Sequence, residues 1–334
     1  MKSEHSVPTM KDVAREAGVA LGTVSKVVNG IPVGESYRLR VEEAIKKLNY
    51  QVNSYAQGLK ANKTYTVALL LPNTEDPFFA SLAYHINLSL LKRRYRMLLC
   101  CTVNSDQEQE YITMAQQNKV DGIIGLTYNP NLQIEENTPF VAIDRSMGSK
   151  IPCVASDNFA GGQLAAEKLA DLGCTNVAFL RIGSSLDNGP NKRKAGFDNG
   201  CLSRGLSYKM KILNDGEPFE EFTRFLSEHM HDGRLSFDGI FCVTDRLAYL
   251  IIKTLRQLNL RVPEDVQVIG FDGIRVFPGA EHVCSTIVQP VPEIAEMCVN
   301  LLLQENISAK PPLVCLPVTY VSGGTTREGE LKHG

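Results

Sequence analysis

Two hydrophobic rhythms divide the chain. In the first fifty residues apolar positions recur at helical spacing, and from Thr64 onward short apolar runs alternate with helical patterns. Val13, Ala14 and Ala17 form a short apolar face. Thr9 and Asp12 ahead of it read as a capping box, and Gly18 is placed to end the helix in the left-handed conformation. A second helix runs from about Leu21 to Asn29, with Val24, Val27 and Val28 at i, i+3 and i+4. Ala14 is small enough to let the two helices approach. Two short helices about a tight turn predict a helix-turn-helix. A third, about Glu35 to Leu48, is expected to turn Leu39, Val41, Ala44, Ile45 and Leu48 inward.

In the body, Val67–Leu71, Met97–Cys101, Gly122–Leu126 and Phe140–Ile143 read as buried strands, separated in part by helices over Phe78–Arg94 and Gln107–Asn118, and Cys153–Ser156 adds another strand. A second series follows: helix Phe159–Leu172, strand Val177–Ile182, helices Lys192–Arg204 and Phe219–His229, strand Gly239–Val243, helix Asp245–Leu258 and strand Gln267–Phe271. Helix Val291–Gln304 and a strand over Leu316–Val321 complete the pattern. This alternation predicts parallel sheets covered on both faces, arranged as two doubly wound lobes with a cleft.

Composition narrows the class. The chain has 334 residues, 43% hydrophobic and 22% charged, the profile of a soluble globular protein of two or three units. Its longest apolar run, Leu247 to Ile252, is far short of the roughly 20 residues that a bilayer helix needs. With no cationic-then-apolar leader, a cytoplasmic protein without membrane association is expected. None of the nine cysteines forms a C-x-x-C pair, and they read as buried reduced thiols. There is no P-loop, no G-x-G-x-x-G after a strand, no G-x-S-x-G and no H-E-x-x-H, so neither an enzyme nor a cofactor is expected. His229 and His231 read as surface histidines rather than a metal site.

Charge is divided unevenly. Residues 1–63 carry ten Lys and Arg against six Asp and Glu, and the remainder carries 25 against 31. A basic head on an acidic body suggests that the head alone meets a polyanion. The outer face of the second helix agrees: Leu21, Gly22, Thr23, Ser25, Lys26 and Asn29 are small, hydroxylated, amide or cationic, groups able to approach phosphates and base edges.

Asp12-Val13-Ala14, Ala17-Gly18-Val19, Thr23-Val24-Ser25-Lys26-Val27-Val28-Asn29 and Leu48-Asn49-Tyr50 before Asn53 resemble the DNA-binding head of the lactose-repressor/galactose-repressor (LacI/GalR) family. The resemblance implies that the second helix enters the major groove of double-stranded DNA. Leu21, Gly22 and Lys26 match base-reading positions, and Thr23, Ser25 and Asn29 match backbone-contacting ones. Lys26 donates as a point charge where the family's usual Arg offers a fork, and Gly22 reads nothing with a side chain. Ala20 replaces the usual cap hydroxyl, and Gly34 and Tyr37 replace small hydroxyl residues. In the linker, 53–63, the resemblance implies a hinge helix paired with its neighbour in the minor groove. Asn53 is its cap, Ala56 the close-contact position and Leu59 the wedge.

The resemblance also implies a body, 64–334, with the fold of a periplasmic sugar-binding protein. The N-lobe is expected over about 64–157 and 290–317 and the C-lobe over 158–288 and 318–334, with crossings near Asn158, Gln289 and Val318. Ligands on such sheets sit beyond the carboxyl ends of the strands. There stand Phe78 and Phe79 in an N-P-F-F-like turn that begins with Asp76, then Asp144-Arg145, then Arg193 and Phe197 in an R-x-x-G-[FW] match, then Thr244, Asp272 and Gln289. Carboxylates that accept from vicinal hydroxyls and an Arg that donates suit a polyol. Asp245 reads as a helix N-cap. Thr244 stands where many sugar-binding members have Asn, so a purine or a phosphorylated effector stays open. The expected protein is a homodimeric repressor on a pseudo-palindromic operator, controlled by a small carbohydrate-like effector. A nucleobase- or sugar-phosphate-responsive corepressed regulator is the alternative within the family, and a solute-binding or enzymatic α/β protein with a vestigial head is the alternative outside it.

Overall fold

The computed structural model describes residues 8–28, 30–50, 63–101, 105–117, 119–127, 129, 131–135, 138–148, 150–183, 189–214, 216–304 and 311–327. The chain forms two compact units that divide between Thr64 and Tyr65. Asn29 and the linker positions Asn53, Ala56 and Leu59 lie outside the described residues.

The first unit has three helices: α1 (Met10–Ala17), α2 (Leu21–Val28) and α3 (Glu35–Lys47). Asp12 Oδ2 accepts from the Thr9 N–H at 3.0 Å and from its hydroxyl at 2.6 Å, which satisfies donors at the helix start. These two bonds hold the Asp12 carboxyl below its ordinary range. Gly18 ends α1 at φ 59, where a Cβ would be strained. Val13, Ala14, Ala17, Val24, Val41, Ala44 and Tyr50 form the core, with Val27, Val28, Ile45 and Leu48 packed on it. The expected inward Leu39 is instead 53% exposed. It lies two residues, about 200° of helix rotation, from Val41, so the two cannot share a face.

The second unit contains two six-stranded sheets. In chain order its elements begin β1 (Thr66–Leu71), α4 (Pro77–Lys92), β2 (Arg96–Cys101), α5 (Ser105–Gln116), β3 (Gly122–Gly125), β4 (Phe140–Ile143) and β5 (Cys153–Ser156). They continue with α6 (Asn158–Asp171), β6 (Asn176–Ile182), α7 (Gly189–Arg204), β7 (Ser207–Leu213), α8 (Glu220–Glu228), the small hairpin β8 (Met230–His231) and β9 (Arg234–Leu235), β10 (Gly239–Cys242), α9 (Asp245–Gln257) and β11 (Gln267–Asp272). The last are β12 (Ser285–Val288), α10 (Val291–Leu303), β13 (Leu313–Leu316) and β14 (Thr319–Val321). The first sheet runs β13-β5-β4-β3-β1-β2, all parallel, and the second β14-β12-β11-β10-β6-β7, parallel except for the antiparallel β12–β14 pair.

Three expectations fail for physical reasons. The run Met97–Cys101 is an edge strand with Leu98 and Leu99 exposed, not a buried one. The stretch Leu316–Val321 is not one strand: Pro317, which has no N–H to donate, separates β13 in the first sheet from β14 in the second. Of the cysteines, Cys101 and Cys315 are exposed while the other seven are buried. The chain changes sheets between β5 and α6, between β12 and α10, and between β13 and β14. No helix among the described residues is long and apolar enough to cross a membrane.

Helices α6 and α7 pack backbone to backbone. A Cβ on Gly162 would lie 1.9 Å from the Arg193 carbonyl oxygen, and one on Gly196 would lie 1.9 Å from that of Phe159. Gly162→Ala is therefore expected to lower stability by about 1–3 kcal/mol or more in urea unfolding, because neither backbone can yield cheaply. Gly22→Ala, with open space around its site in α2, is expected to raise the stability of the first unit by about 0.5–1 kcal/mol. Equal effects from the two would contradict the packing.

Candidate functional site

Two surfaces stand out, one in each unit. In the first unit, α2 buries Val24 and turns Leu21, Gly22 and Lys26 outward, with Thr23 and Ser25 half-buried beside them. Lys26 is exposed and has no ion pair among the described residues. Three other cations of this unit are engaged: Arg15 with Asp12 at 3.1 Å, Arg38 with Glu42 at 2.9 Å and Lys47 with Glu16 at 2.5 Å. Ala20 immediately precedes the helix; its carbonyl accepts from Thr23 and Val24, and its side chain caps nothing.

In the second unit, strand order reverses between β1 and β3 in one sheet and between β6 and β10 in the other. Crevices open beyond the carboxyl ends of strands at such reversals. A cleft of about 70 Å³ is lined there by Asp76, Phe78, Phe79, Leu126, Asp144, Pro190, Arg193, Thr244, Asp272 and Gln289. The first five follow β1, β3 and β4, Pro190 and Arg193 stand on the first turns of α7, Thr244 follows β10, Asp272 ends β11, and Gln289 begins a crossing.

A continuous polar chain forms its floor. The Arg193 Nε–H donates to Asn158 Oδ1 at 2.8 Å and its Nη1 donates to the Val243 carbonyl at 2.6 Å. Nη1 lies 3.6 Å from Asp272 Oδ1, and the guanidinium carbon lies 3.6 Å from the centre of the Phe271 ring. Asn158 Nδ2 donates to Asp144 Oδ1 at 2.7 Å and to the Ser156 carbonyl at 3.0 Å. Gln289 Nε2 donates to Asp272 Oδ1 at 2.7 Å while its Oε1 accepts from the Ser156 hydroxyl at 2.7 Å. Arg193 and Asp272 are both buried. Burial pushes the Asp272 carboxyl well above its ordinary range, and the facing guanidinium opposes that shift without cancelling it. Asp272 sits at φ 128, a conformation that favours glycine, and Asp144 at φ 63.

Seven of the nine cleft residues expected from sequence line this cleft: Phe78, Phe79, Asp144, Arg193, Thr244, Asp272 and Gln289. Two do not. Phe197 is fully buried among Phe179, Phe241 and Tyr208, so the second half of the R-x-x-G-[FW] match serves the core. Arg145 turns away and donates to the Asn129 carbonyl at 2.9 Å. The expected cap Asp245 is also displaced by one position: Thr244 caps α9, its hydroxyl accepting from Leu247 N–H at 3.2 Å, and Asp245 lies buried beneath. Asn158 and Ser156 were missed as polar partners, and Leu126 and Pro190 as lining. Their shared signal is a place within a few residues of a strand's carboxyl end or a helix start.

Residues 9–53 match the bacterial regulatory proteins of the lacI family, and residues 166–326 match the periplasmic binding protein-like domain. A sucrose operon repressor of Pediococcus pentosaceus is 32% identical over 335 residues, covering 95% of this chain and 99% of its own. The chain belongs to the lacI family of bacterial regulatory proteins. A ribose operon repressor of Halalkalibacterium halodurans is 31% identical, with 96% and 98% covered. A lac repressor dimer bound to operator and the anti-inducer ONPF superimposes with a TM-score of 0.81 at 21% identity, covering 97% of this chain and all of that one, and so shares the fold. This family member is a DNA-binding transcriptional regulator with a periplasmic-binding-protein-like body.

Asp245 makes a local demand on the cleft. Its Oδ2 accepts from the Ile274 N–H at 2.7 Å and its Oδ1 from the Cys284 thiol at 3.4 Å, pinning the turn that follows Asp272. Burial raises its pKa to about 6 from an ordinary 3.8. The folded state therefore keeps a proton that the unfolded chain releases, and the stability this supplies is complete below about pH 4 and lost as pH rises through about 6. Relative to Asp245→Asn, which cannot titrate, the wild-type protein should gain up to about 3 kcal/mol between pH 7 and pH 4 in urea melts. A difference that stays flat with pH would count against the buried carboxylate.

Proposed function

We propose that this regulator is a homodimeric repressor of a pseudo-palindromic operator and that a small carbohydrate-like effector in the cleft sets its grip on DNA. The observation that carries the reading is the Asp144–Asn158–Arg193–Asp272–Gln289 chain, with Phe78 and Phe79 across from it. Carboxylate and amide acceptors stand beside amide and guanidinium donors, a set that suits hydroxyl groups, and aromatic faces can cover the apolar side of a sugar ring. The names of the relatives, sucrose and ribose operon repressors, support the same class. Asp144 follows a strand of the first sheet while Arg193 and Asp272 belong to the second, so a ligand held by both favours one arrangement of the lobes.

On the DNA side, Leu21, Gly22 and Lys26 take the base-reading role, and Thr23 and Ser25 the phosphate-contacting one. Asn29, Asn53, Ala56 and Leu59 are assigned phosphate contact, hinge cap, close contact and wedge from the family resemblance. Exposed Tyr84, Leu88 and Leu91 on α4, beside Leu98 and Leu99 on the β2 edge, supply an apolar face for a second copy.

Binding is tested by fluorescence anisotropy at fixed salt, against a symmetric duplex selected from random sequence and against its scrambled form. Lys26→Ala should reduce the ratio of specific to scrambled affinity by about tenfold; an unchanged ratio would remove Lys26 from base reading. In the same assay a stabilising sugar, found by thermal shift, should alter operator affinity of the wild-type protein and have no effect on Arg193→Ala. Should that variant fail to fold, Arg193→Lys keeps the charge without the fork and should weaken the sugar by about tenfold or more. Full effector response in a folded Arg193 variant would place the site elsewhere.

A further inference from the structure

The charge inventory of the cleft reaches further than its shape. Three carboxylates, Asp76, Asp144 and Asp272, face a single cation, Arg193, among the described lining residues. That cation is partly engaged within the protein. Its Nε–H is given to Asn158, its Nη1 to a carbonyl, its charge is shared with Asp272, and its plane lies against the Phe271 ring.

A phosphate can also be held without cations, by the free N–H groups at helix N-termini. Four helices start around this cleft, and at each start one N–H is already taken by one of the chain's own oxygens. At α4 the Asp76 carboxylate accepts from the Phe78 N–H at 2.9 Å, and Pro77 has no N–H to give. At α6 the Asp157 carboxylate accepts from Ala160 at 2.9 Å. At α7 the Gly189 N–H donates to Asp144 at 3.2 Å. At α9 the Thr244 hydroxyl accepts from Leu247, and a buried carboxylate, Asp245, follows at once. At each of these helix starts an internal acceptor already stands where an anion would approach.

We infer that the cleft takes an uncharged polyhydroxy effector and rejects its phosphate ester, with Asp76 as the residue that sharpens the rejection. Asp76 stands where the N-P-F-F turn has an amide. A carboxylate there still caps α4, yet it only accepts, and it adds a negative charge to the cleft that Asp144 also lines. The regulator would therefore sense its sugar before a kinase or other phosphoryl transfer consumes it. This rests on the polyol reading above.

The test uses full-length protein and calorimetric titration with four pairs: D-ribose and ribose 5-phosphate, D-fructose and fructose 6-phosphate, D-glucose and glucose 6-phosphate, sucrose and sucrose 6-phosphate. For any parent sugar that binds, its ester should bind about tenfold or more weakly, since a second anion is brought against carboxylates that already repel it. Asp76→Asn, which can still cap the helix, should narrow that ratio by about fivefold or more. An ester that binds as well as its parent, or better, overturns the inference and leaves the polyol site standing. A ratio unmoved in Asp76→Asn overturns the part given to Asp76. No heat from any of the eight compounds overturns the polyol reading itself, and the inference falls with it.

Discussion

A buried guanidinium is the constraint around which the body of this regulator is built. Arg193 cannot be neutralised, and an uncompensated buried charge costs several kcal/mol. It therefore needs partners: Asn158 and the Val243 carbonyl accept from it and Asp272 faces its charge, and these come from the start of α6 and the ends of two strands. Those partners impose demands of their own. Asn158 reaches Arg193 only because α6 and α7 touch at Gly162 and Gly196, and Asp272 holds an unfavourable backbone angle that the buried Asp245 pins from below. The small residues of the helix interface and the strained turn thus serve one ion.

That dependence explains why the polar chain coincides with the places where the polypeptide changes sheets. Ser156 and Asn158 bracket one crossing, and Gln289 opens another. A rigid lobe carries its own hydrogen bonds with it when it moves, whereas bonds formed at the crossings must be kept or broken. Ser156–Gln289–Asp272 and Asp144–Asn158–Arg193 are of the second kind. A solute that adds contacts to both groups gains most in the arrangement where both are intact, and that differential is the only free energy it can supply to a conformational change.

How much of this could be read from the residues depended on which physical signal each element carried. Strands buried on both faces, such as β1, β4 and β10, declare themselves as unbroken apolar runs. β7 alternates Lys and apolar residues at an edge, β12 opens with Ser-Thr, and β13 is cut short by Pro317, so none of them stood out. In the cleft, residues directly after recognisable strands were legible. Phe197 shares a motif with Arg193 but stands four residues further along α7, where the packing turns it into the core among three aromatic rings. Thr244 and Asp245 are both competent caps, and only the exact end of β10 decides that the hydroxyl caps and the carboxylate is buried. Asn158 carried no pattern at all: its importance comes from what Arg193 requires.

The two units then fit one energetic scale. The outer face of α2 exposes a single cation, Lys26, beside a glycine and a leucine, and in the proposed reading each good base contact supplies about 1–3 kcal/mol of discrimination. A reader with so few contacts has little to spare. Coupling between distant sites typically amounts to about 1–3 kcal/mol and acts equally in both directions. A ligand of modest differential affinity in the cleft is therefore large relative to the direct readout it must override. A head with several bidentate arginines would need a correspondingly stronger effector. In the proposed reading, a helix face with few base-contacting groups suits a cleft where many donors and acceptors are already paired within the protein, because little coupling is then needed to override the readout.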